Sequence, residues 1–459
     1  MINHYDVIVV GSGAGLVIAR ETAARGMKTA LVEREALGGT CLNRGCIPSK
    51  MLLYPAEIAT VLQRAESLNL SITTNSKISF NALIQRISKT IGAQRNDIQT
   101  SLQSLKNLDL YCEDALFISE KVLQTGSKKI SAPVIIIATG ARPRVPEIPG
   151  LTGVPYMTSK DALQRTSLPK SMIVIGGGYV AVEIGHAYAA AGTKVSFVVR
   201  STLLRKLDAD VRELVSNVFA SRHTLYSGSK TEKVYWDGSL FTLVCAATDG
   251  SNRTLTADAL LVATGIVPQT DGLGLENTGI AINDNGFIQV NDCLETDVPG
   301  IYALGDVVGN HMFRHTANYE AQYLLQTALS EKTAFPLDYG PVPYGIFTCP
   351  QIAGVGKTEQ QLCDENISYV KGKASYAEST PGMARRSEHG FVKILIQKQT
   401  RRLLGAHIVG EEATTMIHLF IALMKFQATL DDMLDMIFIH PALPEVAKDA
   451  ALDARSNLE

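Results

Sequence analysis

At 459 residues and 49.5 kDa the chain is too long for one compact core, and about 150 residues per domain sets three domains as the starting expectation. With 46% hydrophobic and 19% charged residues, intrinsic disorder is excluded, because enough apolar side chain is present to offset the entropy of ordering. The 43 basic and 45 acidic residues leave a formal charge of −2, which argues against nucleic acid or another polyanion as the main partner. Seven cysteines are too few, and odd in number, for a secreted disulfide scaffold. The sequence opens directly into a strand and holds no apolar run of about 18 residues, so a cytoplasmic protein with no membrane partner is expected. In a reducing compartment any disulfide should be a catalytic one.

The first elements read as strand, glycine turn, helix, strand, acid. Tyr5 to Val10 is an apolar run ended by Gly11-Ser12-Gly13-Ala14-Gly15, a helix follows to about Arg25, and Lys28 to Val32 runs into Glu33. Gly11 permits a tight turn, and Gly13 lets a diphosphate approach the backbone at the helix N-terminus. Glu33 lies 20 residues past Gly13, where a carboxylate accepts hydrogen bonds from ribose hydroxyls. The third glycine of the usual pattern belongs at 16, but Leu16 stands there and Gly15 precedes it.

Next comes Gly38-Gly39-Thr40-Cys41-Leu42-Asn43-Arg44-Gly45-Cys46-Ile47-Pro48-Ser49-Lys50. Two cysteines with four residues between them fit one turn of helix, close enough for a disulfide after modest distortion. Half of a zinc site, inert buried thiols and a structural disulfide are the competing readings. No second cysteine pair at ligand spacing follows, so no metal is expected. A redox-active pair needs thiolate stabilisation, which a helix N-terminus and Lys50 would supply.

A second nucleotide unit begins at Met172 to Ile175, with Gly176-Gly177-Gly178-Tyr179-Val180-Ala181, a helix to about Ala191 and a strand from Lys194 to Val199. The halves echo each other again. Val134 to Ile137 runs into Ala138-Thr139-Gly140, and Ala259 to Val262 into Ala263-Thr264-Gly265. After the strand Lys194 to Val199 an NADH site would present an acid; this chain presents Arg200, with Arg205 five residues on. An arginine there can pair the 2′-phosphate of NADPH, with surface cations on a loop as the competing reading. One or two charge-assisted hydrogen bonds of about 1.5–3 kcal/mol each would shift selectivity roughly tenfold to several hundredfold.

The remaining landmarks lie toward the C-terminus. Gly300 to Asp306 is a strand ending in Gly305-Asp306, with a helix beginning around Ala317. From about Tyr339 the character changes: strands such as Phe391 to Ile396 lead to a helix from Ala413 to Phe426. Near the end, Ile439-His440-Pro441-Ala442-Leu443-Pro444-Glu445 keeps residues 440–444 out of a helix and starts one at Pro444. His440 and Glu445 then meet through a turn, where a carboxylate on one imidazole nitrogen orients the other.

The segment GGTCLNRGCIPSK resembles the active-site segment of the flavin-dependent pyridine nucleotide–disulfide oxidoreductases, and the resemblance covers nearly the whole chain. It implies an α/β fold: two Rossmann-like domains binding FAD and NAD(P), and a C-terminal α+β dimerisation domain. The expected boundaries are 1–149 and 271–338 for the FAD domain, 150–270 for the NAD(P) domain and 339–459 for the dimerisation domain. It implies FAD held by Gly11, Gly13, Gly15, Glu33, Gly39, Thr40, Thr139, Gly140, Gly305 and Asp306. It implies NADPH, or else NADH, held by Gly176, Gly178, Tyr179, Arg200, Arg205 and Gly265, with Tyr179 as the ring that covers the flavin. Lys50 would pair with Glu183 beside the flavin, and electrons would pass from NADPH through FAD to a Cys41–Cys46 disulfide.

By the same resemblance, Cys41 attacks the substrate disulfide, Cys46 faces the flavin, and His440, oriented by Glu445, transfers protons at the partner subunit's cysteines. The expected assembly is thus a homodimer with shared active sites acting on a small-molecule disulfide or dithiol. Within the family the chain looks most like mycothione reductase, with dihydrolipoyl dehydrogenase as the main alternative and a mercuric reductase-like enzyme as another. A cis peptide is expected between His440 and Pro441. Arg44, between the cysteines, departs from the family's small apolar residue; read as a solvated side chain, Arg44→Val should leave the substrate KM unchanged. Cys112, Cys245, Cys293, Cys349 and Cys363 show no pairing spacing and read as buried thiols. Arg385 and Arg386 read as an exposed face.

Overall fold

The computed structural model describes residues 1–71, 77–330 and 335–458. Its contacts divide the chain into two compact units, each assembled from three stretches: residues 1–48, 85–144 and 265–339 form one, and residues 49–84, 145–264 and 340–459 the other.

The first unit is built on a parallel sheet in the order Ile301–Ala303, Val134–Ile137, Val7–Val10, Thr29–Val32, Leu108–Tyr111. Every residue of Val7–Val10 and Thr29–Val32 is buried, as expected of parallel strands covered on both faces, which read as continuous apolar runs. Helices Gly15–Ala24 and Arg314–Gln326 supply Ile18, Ala19, Ala321 and Leu324 to the core on one face. The other face packs against a smaller sheet in the order Ile2–His4, Lys128–Ser131, Val122–Thr125, Leu116–Ser119, with Phe117, Leu123 and Ile130 fully buried.

The second unit holds a parallel sheet in the order Thr224–Tyr226, Lys194–Val198, Ser171–Ile175, Ala259–Val262. An antiparallel sheet of Ser229–Trp236, Phe241–Ala247 and Asn252–Ala257 adjoins it. A five-stranded antiparallel sheet runs Pro343–Ile346, Gln351–Gly356, Leu403–Gly410, Phe391–Gln397, Tyr369–Ser375. Helices Ala413–Lys425 and Pro444–Ser456 pack Phe420, Ala447 and Ala451 into its core.

This is the expected α/β architecture of two Rossmann-like sheets and an α+β C-terminal part. The internal repeat also extends to atomic contacts. A Cβ on Gly11 would lie 2.4 Å from the Ala138 carbonyl oxygen, and one on Gly176 would lie 2.2 Å from that of Ala263. In both halves the first glycine of the turn therefore touches the backbone of the strand ending in Ala-Thr-Gly, at positive φ in each case. The displaced third glycine has a packing reason too, since a Cβ on Gly15 would meet Val9 Cγ1 at 2.7 Å. Gly15 lets helix Gly15–Ala24 lie close on its strand, leaving position 16 open to leucine.

One element differs from expectation. The helix following the Gly-Asp strand starts at Arg314 rather than near Ala317, because its first turn, Arg314-His315-Thr316, is polar and carries no apolar periodicity.

Candidate active site

A single cavity in the first unit gathers most of the first half's candidate residues. Gly11, Gly13, Glu33, Gly39, Thr40, Cys41, Cys46, Thr139, Gly140, Gly305 and Asp306 all line it; Gly15 lies just below, in the helix–strand contact. The cavity exists because side chains are missing where backbones meet: a Cβ on Gly39 would fall 2.6 Å from Gly13 Cα. Glu33 is fixed at its rim. One oxygen accepts from Ser12 N at 2.8 Å and Ser12 Oγ at 2.6 Å, and the other from Glu35 N at 2.9 Å. A carboxylate has lone pairs beyond these for ribose hydroxyls. An elongated nucleotide cofactor fits such a glycine-walled cleft, with a helix N-terminus at one point and Asp306 at another.

The cysteines are placed differently from a single helical turn. Cys41 lies in the short helix Gly39–Arg44 and Cys46 opens the next helix, Cys46–Gln63. Gly45, at φ −134 and ψ −115, breaks between them, and a Cβ there would press to 3.0 Å on the Thr40 carbonyl oxygen. The two sulfurs stand as hydrogen-bonded thiols. That hydrogen bond and burial push the Cys41 thiol well above its ordinary range, with the Arg314 charge acting the other way. Cys46 takes the helix-start position where a thiolate is favoured.

Residues that the sequence did not single out hold this loop and the Gly-Asp turn. Asn43 Nδ2 approaches the carbonyls of Ala36, Leu37 and Gly39 at 3.0, 3.0 and 2.9 Å, and Arg95 donates to its oxygen. Glu320, buried, accepts from Gly305 N at 2.5 Å and from Tyr339 at 2.6 Å, fixing the Gly-Asp turn. Burial raises both Glu320 and Asp306 above the usual carboxylate range. Arg44 is not solvated. Its side chain is 21% exposed, pairs with Glu35 and lines the cavity, because the break at Gly45 turns it inward rather than out along a continuous helix.

In the second unit, Lys50 Nζ donates to both oxygens of Glu183, at 2.9 and 2.8 Å, and lies 4.5 Å from the centre of the Phe347 ring. Glu183 also accepts from Phe347 N at 2.9 Å. Tyr179 starts helix Tyr179–Ala190; its ring lies 6.0 Å from that of Tyr344, and burial pushes its hydroxyl up to about 12. At Gly178 a Cβ would meet nothing within 4 Å, so the space before the second turn is open on that side. The loop carrying Arg200 and Arg205 folds back on that turn, since Leu204 N donates to the Gly177 carbonyl at 2.7 Å. Both arginines are exposed.

His440 Nδ1 and Glu445 Oε1 are 2.9 Å apart, and Glu445 Oε2 accepts from Ala442 N at 2.9 Å. The His440–Pro441 peptide is cis and Pro444 sits in the first turn of its helix, as expected. The Ala442 hydrogen bond, then the His440 contact, holds the Glu445 carboxyl below the ordinary range. The His440 side chain is 72% exposed, with Nδ1 held by Glu445.

Four of the five remaining cysteines depart from the buried reading. Cys245 alone is buried; Cys293 and Cys349 are half-buried, and Cys112 and Cys363 are exposed. Cys112 falls just past the end of strand Leu108–Tyr111 and Cys363 on the outer side of helix Glu359–Asp364, positions that composition does not reveal. Arg385 and Arg386 are exposed as expected, with Arg385 paired to Glu412.

A fold of paired nucleotide-binding sheets, with a glycine-walled cleft opening on two apposed cysteines, defines a flavin-dependent disulfide oxidoreductase. The chain belongs to the pyridine nucleotide-disulphide oxidoreductase family, whose model matches residues 5–321, and the family's dimerisation domain matches residues 342–451. It is an enzyme of the kind that uses FAD with NAD(P)H and acts on sulfur groups.

Similar proteins include a dihydrolipoyl dehydrogenase of Rhizobium etli, 33% identical, covering 99% of this chain and 98% of the relative. A mycothione reductase of Mycobacterium tuberculosis is 32% identical, covering 98% of this chain and 99% of the relative. A mercuric reductase of Staphylococcus aureus is 33% identical, but this chain spans only 82% of it. Among solved structures, the Cu(II) complex of the HOCl-induced flavoprotein disulfide reductase RclA from Escherichia coli matches with a TM-score of 0.88. The two are 27% identical, and the match covers all of both chains. Among the described residues no helix is long and apolar enough to cross a membrane.

Proposed function

We propose that this enzyme uses NADPH to reduce a small-molecule disulfide of the mycothione type, through FAD and a Cys41–Cys46 disulfide. The observation that carries the cofactor choice is the Leu204–Gly177 hydrogen bond, which sets the Arg200–Arg205 loop beside the second glycine turn. A 2′-phosphate lying on that turn would meet cations where NADH would need an acid. The substrate class follows the likeness to the mycothione reductase, which is matched as fully as the dihydrolipoyl dehydrogenase.

In this reading residues 1–149 and 271–338 form the FAD domain, 150–270 the NADPH domain and 339–459 the dimer interface. FAD, held along the cleft by the turn at Gly11 and Gly13, by Glu33, Gly39 and Thr40, and by Asp306, supplies two-electron transfer from nicotinamide to the cysteine pair. Lys50, held by Glu183, brings a positive charge to the helix that Cys46 begins. The Cys41 thiolate attacks one sulfur of the substrate disulfide, forming a mixed disulfide and expelling a thiolate. His440 of the partner subunit protonates that thiolate, while Glu445 of the partner subunit holds its imidazole. Cys46 then attacks Cys41, re-forming the Cys41–Cys46 disulfide and releasing the second substrate half as a thiol. Ile437 and Ile439 beside the histidine are 99% and 81% exposed, an apolar surface suited to burial in such a dimer.

The test is an activity panel of NADPH and NADH against mycothiol disulfide, glutathione disulfide, bis-γ-glutamylcystine and lipoamide, run on wild type and Arg200→Glu. NADPH-driven reduction of a low-molecular-weight thiol disulfide is expected. Arg200→Glu should lower the NADPH/NADH preference by roughly tenfold to several hundredfold. Strong lipoamide turnover with NAD(H) and an unmoved preference in Arg200→Glu would sink the proposal and favour a dihydrolipoyl dehydrogenase.

A further inference from the structure

Three arginines, Arg34, Arg44 and Arg314, line the cavity of the first unit. Two have ionic partners: Arg34 pairs with Asp114 and Arg44 with Glu35. Arg314 forms no ion pair among the described residues, although it is half-buried and stands at the start of helix Arg314–Gln326. Its Nη1 lies 3.7 Å from where a Cβ on Gly13 would be, directly over the turn that opens helix Gly15–Ala24.

A partly buried guanidinium whose nearest interacting carboxylate, Asp306, lies beyond ion-pair distance carries a desolvation cost that an anion would offset. The carboxylates around it are committed or displaced: Glu33 is bound by Ser12 and Glu35 N, Glu35 by Arg44, and Asp306 closes no ion pair with it. The point it faces is the glycine turn, where the helix N-terminus already favours an anion.

From this geometry we infer that Arg314 is the counter-cation of the FAD diphosphate, added by this chain to the backbone cradle at Gly11–Gly13. The inference rests on the flavoprotein reading of the cleft but not on the choice of nicotinamide or of disulfide. It assigns an electrostatic grip on the cofactor to a residue that lies outside every nucleotide-binding motif in the sequence. The same charge reaches Cys41 and Asp306, where it works against the Cys46 hydrogen bond and burial that raise Cys41 and against the burial that raises Asp306.

The test is the release of FAD from the purified holoenzyme on dilution, followed by the rise in free-flavin fluorescence, for wild type, Arg314→Lys, Arg314→Gln and Arg314→Met. Arg314→Met should release FAD on the order of tenfold to a hundredfold faster than wild type. Arg314→Lys, which keeps the charge, should recover most of that retention. Added salt should speed release from wild type more than from Arg314→Met, because screening acts on the charge–charge contact. Where Arg314→Met fails to fold, the comparison of Arg314→Gln with Arg314→Lys gives the same reading. Release from the neutral variant within about twofold of wild type, or a lysine variant no better than the neutral one, overturns the inference. Neither nicotinamide nor disulfide enters this measurement. Failure of the proposed substrate would therefore leave its outcome untouched, and a wild-type protein purified without FAD would count against the cleft assignment itself.

Discussion

Replacing His440 with alanine is expected to cut disulfide turnover by roughly 10²–10⁴-fold while leaving reduction of the bound flavin by NADPH near its wild-type rate. In the proposed reaction the histidine acts only when a substrate thiolate leaves, so its loss should fall on the second half of the cycle. The geometry supports that division. His440 is tied to Glu445 at 2.9 Å, and its exposed side chain reaches outward from the C-terminal part that carries the dimerisation domain.

Glu445→Gln should cost less, because it keeps the hydrogen-bond geometry and removes only the charge. The Glu445 carboxyl is held below its usual 4.5 by the Ala442 N–H and by His440. The pair therefore stays intact as pH falls, until it drops below the ordinary carboxylate range. Rapid-mixing kinetics of the two half-reactions check this. Equal losses in both halves, or turnover in His440→Ala within about threefold of wild type, would remove His440 from the chemistry.

The largest expected effect on stability lies at Lys393. It is fully buried, with Nζ 2.7 Å from Asp208 Oδ1 and 3.3 Å from Asp210 Oδ2, and it also contacts Glu359. Asp208 caps helix Ala209–Arg222 by accepting from Asp210 N, and its other oxygen accepts from Glu359 N. One ammonium therefore joins that helix to the sheet strand Phe391–Gln397 and to helix Glu359–Asp364. Lys393→Met leaves these carboxylates without their buried counter-charge and should destabilise the protein by about 3–5 kcal/mol. The thermal midpoint should fall by on the order of 10 °C.

Burial pushes Asp208 and Asp210 up, yet His407 and then Lys393 leave Asp208 below its usual 3.8, and the Lys373 hydrogen bond together with the Lys393 charge does the same for Asp210. Burial pushes Lys393 down, and the same contacts leave it above its usual 10.5. The carboxylate contribution is thus full above 3.8 and lost as pH falls through the lower folded values. The lysine contribution is full below 10.5 and lost as pH rises through the higher one. The gap between wild type and Lys393→Met should be constant between those limits and close toward either extreme. A midpoint within about 2 °C of wild type at neutral pH would show that the cluster carries no net stability.

Much of the site was legible in the sequence because backbone chemistry writes itself locally. Gly11 and Gly176 must be glycine because a Cβ there would fall 2.2–2.4 Å from a carbonyl oxygen of the adjoining strand, and the same Ala-Thr-Gly strand recurs to receive them. His440 and Glu445 were legible because two prolines fix the turn between them. Arg314 was not, since a polar first turn carries no periodicity and the cavity it faces is assembled from stretches hundreds of residues apart. Asn43 and Glu320 were missed for a related reason: each works by bonding backbone groups that no spacing rule connects.

By itself, then, the sequence determined the two glycine turns, the spacing of the cysteine pair, the histidine–glutamate pair and the class of enzyme, because each depends on residues close together in the chain. Only the tertiary structure decided which charges are committed. Arg44 turned inward to Glu35 while Arg314 was left facing the glycine turn. Lys393, an ordinary strand lysine in the sequence, became a buried hub for Asp208, Asp210 and Glu359. Whether a charged side chain is solvated, paired or aimed at a ligand depends on what distant segments bring within about 4 Å of it, and no local pattern records that.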